Sequence, residues 1–391
     1  MAASTDWLKA FHGPRGAQFS AQVKRLHAEH LRNYPRLWFA GRTPAAERLR
    51  ECARYAGSEY VLLKEAVRSS SPLFFRNRAD ERLYRALVLN ESFSADEWGS
   101  AIGLRETQEW LEEGLLDRED GGLVCRFRIV VTDRVFLVLD AKRPLAASSV
   151  GRAVHFEQDA LHMLRYLARE TIVPGVDYLD VGTGSGVILL HLAGFFRRSA
   201  GMDVLPRAAE IAALNRDLNG PAETVRVFQA DVFDWDNGTE RFDLVTWNMP
   251  FVFFDEEYGS FSPSTNGGRL GIEVTVRFLS RLPSLMSERG RAYLMTATPV
   301  LPEGRPLFEE LKKAAARRGW DVEADFLHPF WIPRLGEFHR KERVRRFEAF
   351  MVRIVPGAGR FSVRKKPVFK MALDGVHAAI HSRNGGKNDH R

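Results

Sequence analysis

The sequence predicts an α/β protein in which a mainly helical N-terminal region precedes a doubly wound, mostly parallel sheet of seven strands. Three observations predict it. From about Pro174 onward, short apolar runs alternate with helical stretches, the pattern of β-α-β units. One run opens directly into a glycine-rich turn, Gly182 to Gly186, ahead of a helical stretch. Upstream of Pro174 the pattern is different, with helical periods followed by a hairpin signal.

The 391 residues exceed one ordinary domain, and with 45% hydrophobic and 27% charged residues they can bury a sizeable core. That excludes a mainly disordered or collagen-like chain. No stretch reaches the roughly 18 uncharged apolar residues of a membrane span, and Met1–Arg15 has no apolar leader core, so neither a membrane partner nor a signal peptide is expected. The two cysteines, Cys52 and Cys125, are far apart and show no CxxC or Cys/His spacing. A disulfide scaffold and a thiolate zinc site are thereby excluded, no metal site is expected, and a reducing cytoplasm fits.

Residues 1–42 read as an N-terminal extension with a helix around Ala21–Leu31. Residues 43–150 read as a second unit. A helical period covers Pro44–Arg68, and Leu83, Ala86 and Leu87 recur at buried-stripe spacing within Asp80–Leu89. Ser94 and Glu97 form a capping-box signature. A further helix over Glu106–Leu115 ends at the turn Glu119-Asp120-Gly121-Gly122. Leu123–Val131 and Val135–Leu139, split by Thr132-Asp133-Arg134, then read as a hairpin. Helix, helix and two-stranded wing make the outline of a winged-helix domain. Its second helix carries Glu106, Glu109, Glu112 and Glu113 against Arg105, whereas phosphate contact needs Lys or Arg. DNA reading is therefore disfavoured against a substrate cover or a dimerisation surface, and a homodimer stays open.

Residues 151–370 read as the sheet domain and 371–391 as a frayed tail. The expected strands are Val176–Val181, Gly201–Val204, Val225–Gln229, Phe242–Trp247, Arg291–Thr296, Trp320–Leu327 and Phe347–Val355, with a helix over Val187–Phe196. Glycines at 182, 184 and 186 allow a tight turn and close backbone approach to a ligand. Asp203 ends the next strand, where a carboxylate can accept both hydroxyls of a ribose. Asp231 follows the third, where it can receive an adenine amine. The fourth strand runs into Asn248-Met249-Pro250-Phe251. In open sheets of this kind ligands lie beyond the carboxyl ends of the strands, so these elements converge on one crevice.

From about Val154 to Val355 these residues resemble the class I S-adenosylmethionine-dependent methyltransferases, with their Rossmann-like sheet. The resemblance is strongest to the branch bearing an Asn-Pro-Pro-Phe/Tyr motif, which includes protein-glutamine and small-domain ribosomal-RNA methyltransferases. It implies S-adenosylmethionine as cofactor, with Asp180, Gly182, Thr183, Gly184 and Gly186 around its methionine portion. It further implies Asp203 on the ribose, Asp231 on the adenine and Asn248 facing the donor. A nicotinamide enzyme is disfavoured because the third glycine is missing at dinucleotide spacing.

The resemblance also implies that the Asn248 side-chain oxygen and the Met249 carbonyl accept hydrogen bonds from a planar –NH₂, with Pro250 shaping the corner and Phe251 packing on the target plane. Met249 stands where the branch has proline; it keeps the carbonyl, adds an N–H and frees φ, so a looser corner is expected.

The following segment is aromatic, with Phe253, Phe254 and Tyr258 as substrate-gripping candidates. The net charge is +7, but Phe330–Lys370 alone carries +9 and the rest −2. Arg334 and Arg340 in that basic connection are candidates for an anionic substrate. The expected function is methylation of a planar nitrogen on a small molecule, protein or RNA. The alternatives are oxygen or carbon methylation of a small metabolite, and a cofactor-binding module without turnover.

Overall fold

The computed structural model describes residues 6–31, 77–119, 121–132, 134–141, 154, 158–167, 170, 175–220, 223–252, 264–330 and 340–364. Helices α1 (Leu8–His12) and α2 (Gly16–Leu26) come first, followed by α3 (Arg78–Leu87), α4 (Ala95–Ile102) and α5 (Leu104–Glu112). Four short strands follow: β1 (Leu116–Glu119), β2 (Gly122–Cys125), β3 (Phe127–Val131) and β4 (Phe136–Asp140). Next in the chain are α6 (Gln158–Leu167), β5 (Gly175–Val181), α7 (Val187–Leu192), β6 (Phe196–Asp203), α8 (Pro206–Asn219), β7 (Val225–Gln229) and β8 (Phe242–Asn248). Then come α9 (Glu273–Arg281), β9 (Met286–Val300), α10 (Pro306–Arg318), β10 (Trp320–Phe330), β11 (Arg346–Pro356) and β12 (Phe361–Arg364).

The chain divides into two compact units, one of Met1–Leu161, Thr183–Gly194 and Asp203–Gln229, the other of His162–Gly182, Phe195–Met202 and Ala230–Arg391. In the first unit, the segment read as an extension supplies core: Trp7, Leu8, Phe19, Val23, Leu26 and Leu31 are each at most 3% exposed. They join an aromatic cluster in which the Phe127 ring lies 5.5 Å from Trp7 and 5.6 Å from Trp110. Trp7 Nε1 donates to Asp140, and Arg207 pairs with Asp140 beneath the same indole. The sequence signal there is weak because α1 and α2 together span only 16 helical residues and bury Gly and Ala beside the aromatics.

The capping box at Ser94 and Glu97 is present. The apolar run Leu123–Val131 is not one strand. It breaks at Arg126, so that Cys125 pairs back with Leu116 and Phe127 pairs forward with Asp140. The run therefore serves two hairpins, and β1, whose Asp-Arg-Glu sequence carries no apolar alternation, falls where a helix tail was expected. Helix α5 ends at Glu112 because Gly114 takes φ +72° and turns the chain. The Pro44–Arg68 period and the 371–391 tail lie outside the described residues.

The main sheet has eight strands in the order β12-β10-β11-β9-β8-β5-β6-β7. β5 pairs in parallel with β6 and β8, and β8 with β9, while β11 runs antiparallel between β9 and β10. The sheet is thus mostly parallel in its β8-β5-β6 part, as expected, and has eight strands where seven were expected. β6 begins at Phe196, five residues earlier than expected, because Arg197 and Arg198 hide its strand pattern; Arg198 instead forms a two-point ion pair with Asp177 of β5. Helix α7 is correspondingly short. β12, unforeseen, adds to the β10 edge and is tied there by Arg364 to Asp325. The chain leaves β5 toward β6 and β7, then returns to β8 on the other side. The carboxyl ends of β5 and β8 thus form the switch point where ligands of such sheets lie.

Candidate active site

Within the second unit the switch point carries Asp180–Gly182 on one strand and Trp247–Phe251 on the other. Asp180 is 1% exposed and accepts from Thr246 Oγ1 at 2.6 Å, and Thr246 Oγ1 also meets the Tyr178 hydroxyl at 2.8 Å. Burial, with the Asp180 charge next in weight, pushes the Tyr178 hydroxyl well above its ordinary pKa, so it stays a neutral donor in this relay. Gly182 has φ +58°, and a Cβ there would fall 2.6 Å from Trp247 Nε1. No other residue fits that bend without moving the indole.

The first unit carries the remainder of the turn. Gly184 and Gly186 also take positive φ, and Thr183 is buried with its carbonyl accepting from Gly186 N at 2.8 Å. Gly184 N donates to Asp203 Oδ2 at 2.9 Å and Leu205 N to Oδ1 at the same distance. The Asp203 carboxyl is raised from its ordinary pKa because it is buried, an effect these backbone N–H groups partly oppose. A carboxylate offers about four lone-pair sites, so acceptor capacity is left over for a ribose hydroxyl.

The turn is braced from behind by two amides that the sequence did not disclose. Asn215 on α8, fully buried, accepts from Val138 N at 2.7 Å and donates to Val138 O and to Ser185 O at 2.9 Å in the glycine turn. Asn219, one helical turn later, does the same to Phe136. The two side chains act as the missing neighbour strand for β4, satisfying an edge that would otherwise be buried without partners. His191 of α7 meets Thr132 in the β3–β4 turn at 3.2 Å. The N-terminal hairpin is therefore bound to the glycine turn and its helix.

Asp231 starts the turn after β7. Its side chain accepts from Phe233 N at 2.9 Å. Helix α9 clamps this loop: Arg277 lies 3.8 Å over the Phe233 ring, and Arg281 donates to the Val232 and Trp235 carbonyls. Arg277 and Arg281 thus hold the loop in place.

At the corner, Asn248 Oδ1 is buried and has no hydrogen-bond partner among the described residues. Such an orphan costs about 1–3 kcal/mol unless a ligand supplies the donor. The looser corner expected from Met249 is not found. Its N–H donates to Met295 O at 3.0 Å and continues the β8–β9 ladder for one more residue, so a hydrogen bond that proline cannot make replaces the stiffness of the ring. Behind Pro250 and Phe251 the glycine segment closes in: a Cβ on Gly267 would fall 2.8 Å from Pro250 O and from Phe251 Cα. Phe251 is buried, edge to face with Phe330 at 5.8 Å.

Phe253, Phe254, Tyr258 and Arg334 lie outside the described residues. Arg340 is exposed at the end of the basic connection. Val344 is buried with Leu301 and Phe347, against Val252 and Leu270. That packing brings the stretch containing Arg343 and Arg345 to the corner. Arg346, by contrast, is tied to Glu348, which Arg305 also holds at 2.6 Å. No described helix is long and apolar enough to cross a membrane.

Residues 179–261 match the family profile described as "Methyltransferase domain". Among curated proteins, the human "Methyltransferase HEMK2" is 34% identical over 156 residues, covering 36% of this chain and 66% of that one. A tRNA1(Val) (adenine(37)-N6)-methyltransferase of Porphyromonas gingivalis is 31% identical over 127 residues, covering 30% and 48%. The release factor glutamine methyltransferase of Lactococcus lactis is 35% identical over 82 residues, covering 20% and 29%. The chain thus spans between 29% and 66% of the length of these relatives. The matched profile falls on the strand-turn-strand elements described above, from the end of β5 to beyond the corner. The chain therefore carries a methyltransferase domain of the class I, S-adenosylmethionine-dependent type.

Proposed function

We propose that this protein transfers a methyl group from S-adenosylmethionine to a planar nitrogen, an amide or exocyclic amine, gripped by Asn248 and the Met249 carbonyl. One observation carries the reading: the buried Asn248 Oδ1 at the switch point lacks a donor among the described residues. The bound sulfonium cofactor supplies an activated methyl with a good leaving group. What the chain must add is orientation at near-attack distance. Asn248 Oδ1 and the Met249 carbonyl accept the two N–H bonds of the target, which aims its lone pair outward from the corner. Asp180 and the turn 182–186 hold the methionine portion, Asp203 the ribose and Asp231 the adenine.

The activities named for two relatives, glutamine and adenine N6 methylation, are both at such an –NH₂. Oxygen or carbon methylation of a small metabolite rests on the aromatic segment Phe253–Tyr258 and on Met249; the hydrogen bond from Met249 N to Met295 O weakens the second of these grounds. The order α3, α4, α5, then the β1–β2 hairpin supports a winged-helix-like cover for the substrate. The acidic α5, where Glu109 pairs with Arg105, favours a role other than DNA reading. The basic stretch beside the corner favours an anionic or macromolecular acceptor.

The test is methyl transfer from labelled S-adenosylmethionine to glutamine-bearing release-factor peptides and to unmodified tRNA. Wild type should label one of them, and Asn248→Ala should lower turnover by at least about 100-fold, the cost of an orienting acceptor, with cofactor affinity nearly unchanged. Unchanged turnover in Asn248→Ala would remove the gripping mechanism. Cofactor binding without transfer to any –NH₂ acceptor would favour a binding module.

A further inference from the structure

Most arginines on the last strands of the sheet domain are neutralised within it. Arg305 and Arg346 both end on Glu348, Arg353 on Glu323 and Arg364 on Asp325. Arg269, Arg340, Lys341, Arg343 and Arg345 are different. They are exposed, and their side chains make no ion pair or hydrogen bond among the described residues. Glu303 and Glu342, the acidic residues beside this stretch, form no ion pair with them either, and Glu273 accepts from the Arg269 backbone N–H rather than from its guanidinium.

Packing gathers these cations at the acceptor corner. Val344, between Arg343 and Arg345, is buried with Leu301 and Phe347, and Val252 and Leu270 pack against the same cluster. Val252 directly follows Phe251, and Leu270 directly follows Arg269. Arg345 N donates to Val300 O at 2.9 Å, which fixes the stretch to the carboxyl end of β9. Arg343 also takes φ +55°, a left-handed backbone that strains any residue except glycine. Leu270 has the same conformation at φ +56°, and its side chain packs on the cluster in return. The Arg343 side chain makes no such return within the described fold. Glycine would make the same turn without strain, so it is the guanidinium that accounts for an arginine there.

We infer that Arg269, Arg340, Lys341, Arg343 and Arg345 bind the phosphates of an unpaired RNA segment that carries the acceptor base. This rests on reading the corner as a grip for a planar –NH₂, and it adds the class of chain presenting that group. RNA combines closely spaced anions with exocyclic amines on planar rings. An amine that reaches the buried Asn248 Oδ1 must come from a base outside a duplex, and RNA loops offer such bases already unpaired. Guanidinium forks meet phosphate oxygens two at a time, which suits a rim of four arginines and one lysine.

The test reads binding rather than transfer, so its outcome is separate from that of the Asn248 grip. A fluorescein-labelled RNA hairpin with a mixed-sequence loop is titrated with the full chain at rising KCl, followed by anisotropy. A DNA duplex of matching sequence and an acidic glutamine-bearing peptide are run beside it. Wild type should bind the hairpin most tightly, with a log–log salt slope of about −2 or steeper, the value for three or more phosphates. Arg343→Gly should weaken hairpin binding at least about threefold and flatten the slope by about 0.7–1. It should nonetheless unfold in urea at the same or a higher midpoint, because the strain is relieved. Arg345→Gln, which leaves that backbone alone, should flatten the slope equally. Unchanged slopes in both variants, or tighter binding of the duplex or the peptide than of the hairpin, would overturn the inference. Hairpin binding as expected, together with normal transfer by Asn248→Ala, would support the phosphate rim and remove only the grip.

Discussion

Replacing Gly182 with alanine combines two effects of different origin, backbone strain and overpacking, and the structure supplies a magnitude for each. At φ +58° an L-residue costs about 1–2 kcal/mol of backbone strain. The new methyl would also sit 2.6 Å from Trp247 Nε1 and 3.2 Å from Cδ1, against roughly 3.4 Å or more for ordinary contact. Trp247 cannot simply step aside, because it is 7% exposed and its ring meets Phe278 edge to face at 4.7 Å. Overpacking of this kind costs ~1–3 kcal/mol. Gly220 supplies the control, with φ +91° and nothing within 4 Å of where an added methyl would sit, so Gly220→Ala carries strain alone. Urea unfolding followed by far-ultraviolet circular dichroism should place Gly182→Ala about 1–3 kcal/mol below Gly220→Ala. Equal midpoints and slopes for the two variants would refute the argument that Trp247 walls the turn.

Asn215→Ala strands Val138 N–H, Val138 O and Ser185 O in the interior. At ~1–3 kcal/mol for each buried orphan, it should destabilise by roughly 3 kcal/mol or more. Denaturant unfolding with a loss under about 1 kcal/mol would contradict the strand-mimic role. Glu348 is held below the ordinary carboxylate range: burial raises it, but the hydrogen bonds from Arg305 and Arg346 outweigh that. A depressed folded-state value contributes stability above the unfolded value near 4.5, and that stability disappears as pH falls through the folded value. Glu348→Gln should therefore lower stability by ~1–3 kcal/mol at neutral pH, with the gap to wild type shrinking below pH 4.5 in acid titrations of unfolding. A gap that widens in acid would contradict this sign.

The parts of the fold written in local pattern were legible. Apolar runs placed the sheet strands, the glycines placed the turn, and Asp203 and Asp231 stand at strand ends as read. What escaped depends on long-range partners. Arg197 and Arg198 conceal half of β6, because Arg198 is satisfied by its ion pair to Asp177 rather than by burial. Asn215 and Asn219 look like ordinary polar helix residues until β4 lies beside them. Met249 reads as a softening substitution, and only the register against Met295 shows that its N–H is used. The register shift between Phe326 and His328 in the β10–β11 pair leaves no trace in composition, since Leu327 and His328 continue an acceptable strand.

The central claim is that Asp203 and the 182–186 bend hold the adenosyl donor, and one calorimetric titration tests it most directly. S-adenosylhomocysteine injected into the wild-type chain and into Asp203→Ala at pH 7.5 should bind wild type at one site per chain, with Asp203→Ala at least about tenfold weaker, the loss of two charge-assisted hydrogen bonds. Absence of binding heat with wild type, or equal affinity in the two proteins, would contradict it.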